Sequence, residues 1–134
     1  KNKKNKPFLK HLNYSISFSH SKKFVACSFS NFKSIGIDIE HFDEKIFSVK
    51  DKFLNISERE KIKDDMKSLI LIFSAKESIY KTLCYWQDLS FFDFRKINFL
   101  SFSKKKIKFS FEQYFFEVGF KLYKNFCLTY PFLK

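Results

Sequence analysis

Phe73-Ser-Ala-Lys-Glu-Ser-Ile-Tyr-Lys-Thr-Leu83 is the stretch whose reading decides the fold. From Leu69 onward, Leu69, Ile72, Phe73, Ile79, Tyr80 and Leu83 recur at three- and four-residue steps, the period of a helix with one buried face. At about 100° per residue, Lys76 falls within the apolar arc, Glu77 at its edge, and Lys81 one turn beyond Glu77. Burying an ammonium is costly unless an anion meets it. The helix is therefore expected to carry two lysines and a glutamate towards something charged, although Lys76 can also snorkel to water along its alkyl stem.

Ser34-Ile-Gly-Ile-Asp-Ile-Glu40 supplies the complement. Ile35, Ile37 and Ile39 alternate with Gly36, Asp38 and Glu40, the two-residue period of a half-buried strand. Asp38 and Glu40 then share a face, with Cα atoms roughly 6.5–7 Å apart. Two carboxylates so placed can converge on one hard cation such as Mg2+, whose shell phosphate and water complete. With Glu77, Lys76 and Lys81 the inventory is that of metal-assisted phosphoryl transfer. Each part has an ordinary reading too. Asp38 and Glu40 fit a solvated strand face, and Glu77 with Lys81 is an i,i+4 pair worth about 0.2–0.5 kcal/mol.

A chain of 134 residues makes one domain with a real core, here assigned to 1–134. Phe occurs 21 times and Gly and Pro twice each, a composition that excludes a disordered chain. No apolar run reaches the ~20 residues of a membrane span, and no signal peptide is legible, so a cytoplasmic protein is expected. Cys27, Cys84 and Cys127 have neither zinc spacing nor a disulfide framework and read as reduced core residues. The net charge of +12 attracts anions without choosing among them.

Residues 1–12 read as a basic, flexible start. Tyr14, Ile16 and Phe18 alternate with serines as one strand, Phe24–Phe29 forms a second, and a loop at Ser30–Ser34 leads into the Asp38/Glu40 strand, making three adjacent strands. A helix is expected from Asp43-Glu44 to Leu54-Asn55, then a short one capped by Ser57 and Glu60, then the long helix over about Ser68–Tyr85. Ile97–Phe102, Ile107–Phe111, Tyr114–Tyr123 and Phe126–Tyr130 read as strands. Strands, helices, then strands predict an α+β fold, a mostly antiparallel sheet packed on one long helix.

Ser17-Phe-Ser-His-Ser21, Ile35-Gly-Ile-Asp-Ile-Glu40 and Phe73-Ser-Ala-Lys-Glu-Ser-Ile-Tyr-Lys81 together resemble the signature of the 4'-phosphopantetheinyl transferases. Lys6-Pro7 and the Leu71–Ser78 stretch look closest to the surfactin-activating and enterobactin-synthase branch. That resemblance implies transfer of the phosphopantetheine arm of coenzyme A to a serine of an acidic apo carrier protein. It implies Mg2+ on Asp38, Glu40 and Glu77, with Glu77 as general base and Lys81 in catalysis. Lys76 and Lys81 would meet the phosphates, while Lys6, Ser19 and His20 hold coenzyme A. The likeness covers the end of the first and the whole second of the family's two halves, so an upstream portion is expected, with a monomer or weak self-association. The alternatives are a non-catalytic remnant or carrier-binding module, and a basic nucleic-acid-binding domain. The lysines are spread rather than striped, which disfavours nucleic acid.

Overall fold

A computed structural model describes Leu9, residues 12–31 and residues 35–132. Ser15–Ser21 (β1) and Phe24–Ser30 (β2) pair antiparallel as a hairpin, Ser21 opposite Phe24 and Ser15 opposite Ser30. Its tight turn sets Lys22 at φ 51°. The five strands Asp38–His41 (β3), Asn98–Phe102 (β4), Lys106–Phe111 (β5), Tyr114–Leu122 (β6) and Phe126–Phe132 (β7) form a separate antiparallel sheet. Its order is β3-β7-β6-β5-β4.

The three adjacent strands expected at the start are thus corrected: β3 draws its backbone partners from β7, and the hairpin lies beside it as a second sheet. The predicted Ser30–Ser34 loop falls partly outside the described residues, as does most of the basic start, Lys6 included.

Between β3 and β4 lie Ile46–Val49 (α1), Ile56–Lys61 (α2) and the 18-residue helix Met66–Leu83 (α3). The helix predicted from Asp43 shrinks to α1 and a 3-10 turn, Lys50–Lys52. Its Asp43 carboxylate instead accepts from the Lys45 backbone N–H, the local bond that competes with helix. Asp65 caps α3 by accepting from the Ser68 N–H, starting it two residues ahead of the prediction. The capping box of α2 is Asn55 with Glu58, not Ser57 with Glu60.

α3 lies against β3, β7 and β6. Leu69, Ile72, Ile79 and Leu83 meet Ile107, Phe109, Phe116 and Val118 in one core, where each fully buried large side chain contributes about 1.5–3 kcal/mol. The result is the α+β class expected, antiparallel sheets with few helices. No helix among the described residues is long and apolar enough to cross a membrane. Cys84 and Cys127 are buried as expected, whereas Cys27 is exposed on β2.

Candidate active site

The site begins with an unusual joint. The N–H groups of Ile37, Ile39 and His41 donate to the hydroxyls of Ser17, Ser19 and Ser21, at 3.2, 3.1 and 3.2 Å. Strand alternation turns every second β1 residue to one side, so a serine at each such position gives the hairpin a row of acceptors. Backbone donors at this edge of β3, which a neighbouring strand would otherwise have to satisfy, are met by side chains. Ser19 also donates to Asp38 Oδ1 at 3.0 Å and so orients that carboxylate.

From the other side comes α3. Ser74, Ser78 and Thr82, four residues apart, are all buried and make a smooth stripe on the helix. Ser74 meets the Thr129 hydroxyl on β7 at 2.9 Å. Thr82 Oγ1 accepts from the Gly36 N–H at 2.8 Å. Only glycine allows this approach: a Cβ on Gly36 would stand 2.1 Å from the Ser78 carbonyl oxygen and 2.8 Å from the Lys81 Cβ. The closeness brings Lys81 Nζ to 2.8 Å from Asp38 Oδ1 and 3.0 Å from the Ile37 carbonyl.

Asp38 and Glu40 face the helix side of the sheet, opposite Thr129 and Cys127 in register. Burial pushes the Asp38 carboxyl up, and the Lys81 ammonium opposes it. Burial, then the charges of Asp38 and Glu77, push Glu40 up to about 7, with Lys81 again opposing. Asp38, Glu40, Glu77 and Lys81 therefore belong to one electrostatic cluster at the crossing of β3 and α3. Asp38 Oδ2 is buried with no hydrogen-bond partner among the described residues. Such an oxygen is costly to bury, and it suits a hard cation. No three His, Cys, Asp or Glu side chains among the described residues close around a single point. The acids feel one another's charge without converging, as the mutual repulsion of uncompensated carboxylates favours.

The model of the 4'-phosphopantetheinyl transferase superfamily matches residues 34–131, which span β3, α3, β4–β6 and β7 up to its last residue. The chain belongs to that superfamily. At the family level this makes it a phosphopantetheinyl transferase. No curated protein matches the chain.

Within this transferase the remaining candidates part company. Ser19 points to Asp38, whereas His20, one position on, lies on the opposite, exposed face of the hairpin across from Val25. Lys76 requires a correction. Its ammonium is wholly buried, 2.8 and 3.0 Å from the two Glu58 oxygens, with the carbonyls of Phe53 at 2.6 Å and Phe94 at 3.3 Å around it. An amine with that many acceptors and no exposure is not placed to meet a cofactor's phosphates; it ties α3 to α2 and to the segment entering β4.

Glu58 was not foreseen as its partner. This carboxylate accepts from Lys76, from the Asn55 N–H that completes the capping box, and from the Phe99 N–H at 2.7 Å on edge strand β4. The signal was present as Asn-x-x-Glu, overlapped by the Ser-x-x-Glu pattern two residues later. Nothing in the sequence marked Gly36 and Thr82 as a contact, since they lie 46 positions apart.

Proposed function

We propose that this chain transfers the phosphopantetheine arm of coenzyme A to the serine of an acidic apo carrier protein, with Mg2+ held by Asp38, Glu40 and Glu77. The observation that carries the reading is the cluster at the crossing of β3 and α3. A buried carboxylate oxygen with no hydrogen-bond partner among the described residues lies beside two more acids and a lysine, within the segment matched by the family.

The residues suit a hard divalent cation by their all-oxygen donors. When bound, Mg2+ would neutralise charge on the pyrophosphate and on the leaving group. The chain's own residues do the rest. Lys81, fixed by the Ile37 carbonyl and Asp38, presents a cation to the phosphates. Ser19 holds Asp38 in place from the hairpin side. Glu77 takes the proton of the carrier serine as its Oγ bonds to the β-phosphorus; the bond from that phosphorus to the bridging oxygen breaks, and 3',5'-ADP leaves with the electron pair.

The +12 chain suits an acidic partner, and its Leu71–Ser78 likeness favours an enterobactin-type carrier among the candidates. The test is incubation with coenzyme A, Mg2+ and apo acyl, aryl and peptidyl carriers, read by intact mass. Mg2+-dependent addition of one phosphopantetheine to a carrier is the expected result. No addition to any of them, at low or physiological salt, would refute the reading.

A further inference from the structure

Phe91, in the loop between α3 and β4, is fully exposed (103%) and adopts φ 61°. That region of backbone space is one in which a bulky L-residue is crowded by its own Cβ. The ring thus gains no burial within the chain to offset an unfavourable backbone. A few residues on, the same segment forms the wall of an open cleft of about 610 Å3. The cleft is lined by Arg59 and Arg95, the only arginines among 26 basic side chains, and by Asn55, Asn98 and the exposed Ile56. Asn55 Nδ2 donates to Asn98 Oδ1 at 3.1 Å and to the Arg95 carbonyl at 3.2 Å, joining the two walls.

Both guanidiniums are held in place. Arg95 donates to Asp93 through Nε at 2.9 Å and Nη2 at 3.0 Å, and Arg59 Nη2 lies 3.0 Å from Asp51. Each keeps N–H donors beyond those its aspartate takes, since a guanidinium has five. The segment from Phe91 to Arg95 also connects to the candidate active site. Tyr80, one helical turn from Glu77, packs its ring 5.4 Å from Phe92 and 5.2 Å from Phe94, which flank Asp93 between Phe91 and Arg95.

We propose that Phe91 and the Arg59/Arg95 cleft form the docking surface for the acidic carrier protein, an inference that rests on the transferase function proposed above. Preorganised arginines and an exposed aromatic are the residue types that dominate protein interfaces, and the guanidinium fork matches carboxylates. A bare phosphate would have no use for Phe91 and Ile56. A nucleic acid would need a stripe of cations along its backbone, whereas two arginines line the cleft. A protein surface that offers carboxylates around an apolar patch has a use for Arg59, Arg95, Ile56 and Phe91 together.

The test titrates apo acyl carrier protein into the parent chain and into R59A/R95A, R95K, F91A and the control K104A/K105A by calorimetry, with transfer kinetics alongside. The control removes the same charge from the β4–β5 turn, outside the cleft. R59A/R95A and F91A should each raise the carrier Kd by about tenfold or more, as truncated hot spots do. R95K should weaken binding although it keeps the charge. The control should stay within about twofold, and the KM for coenzyme A should not move in any variant. Cleft variants that match the control, F91A binding like the parent, or no binding by the parent would each overturn the docking surface. Transfer that persists with an unchanged carrier KM in the cleft variants overturns it and leaves the proposed function standing. Cleft-dependent binding without transfer would do the reverse.

Discussion

Two lysines five residues apart on α3 make ion pairs of the same 2.8 Å length, yet the pairs differ in nearly every other respect. Lys76 and Glu58 have side chains 0% and 1% exposed, and additional backbone donors and acceptors surround them. Lys81 and Asp38 are 21% and 4% exposed, lie next to Glu40, and include an Asp38 oxygen with no hydrogen-bond partner among the described residues. The first pair is saturated and local; the second is left electrostatically incomplete. A short charged contact alone therefore does not mark a functional site. What separates the two is whether the surrounding groups finish the coordination.

Substitutions sharpen that contrast, and the largest effect is expected at the saturated pair. K76M leaves the Glu58 carboxylate buried and unpaired, which should cost about 3–5 kcal/mol of stability. The double variant E58Q/K76M should recover much of this, and denaturant melts of the three proteins measure it. Equal losses in single and double variants would contradict the pairing.

K81A is expected to act mainly on function. Transfer should fall by about 100-fold or more, the scale of losing one charge-stabilising donor, while stability drops by only about 1–3 kcal/mol from the exposed need of Asp38. Unchanged kcat/KM in K81A would remove Lys81 from the site.

Gly36→Ala tests the close approach that creates the second pair. The added Cβ meets helix backbone, so about 1–3 kcal/mol of stability should be lost, and transfer should fall with it as β3 is pushed from α3. A crystal structure of the variant with the Lys81–Asp38 distance intact would show that the glycine is not what sets it.

The smallest effect is a pH dependence at Glu40, whose pKa is about 7 against an ordinary 4.5. Below pH 4.5 the group is neutral in both folded and unfolded chains. Between 4.5 and 7 the unfolded chain gives up its proton first, so stability falls as pH rises, and the full penalty stands above 7. Allowing for solvent screening of a partly exposed group, that penalty is about 1 kcal/mol. E40Q should melt higher than the parent at pH 8 and alike at pH 4. A difference independent of pH would contradict the shift. Mg2+ should raise the parent's melting temperature more at pH 8 than at pH 6, because binding needs the ionised form.

The strand and helix that carry Asp38 and Lys81 were legible as elements from their periodicity, but both are buried on more than the expected face: Asp38 and Ile39 are both buried in β3, and Ile70, Leu71 and Ala75 join Ile72 and Ile79 in α3. The fate of Lys76 was not. Periodicity placed it correctly in the apolar arc, but the identity of its partner depends on how α2 folds back, and the capping pattern was read two residues late. The hairpin shows the opposite limit. The alternation of Ser15, Ser17, Ser19 and Ser21 was plain, yet polarity alone gave no hint that the serine face is the inner one. Ser17 and Ser19 are buried while Phe18 is half exposed, because the N–H groups of β3 need acceptors more than the core needs another ring.

The pairing of β3 with β7 also has a kinetic consequence. Asp38 lies opposite Thr129, so this ladder closes a loop of roughly ninety residues, and closure entropy must be met before any contact rewards it. The hairpins β4–β5, β5–β6 and β6–β7 join neighbours in sequence and can form without that delay. The carboxylates of the candidate site therefore take their places late, when β3 docks on an assembled meander and α3. In refolding experiments, burial of Trp86, whose ring lies against Tyr114 and Phe116 of β6, should precede the protection of the β3 backbone N–H groups from hydrogen exchange.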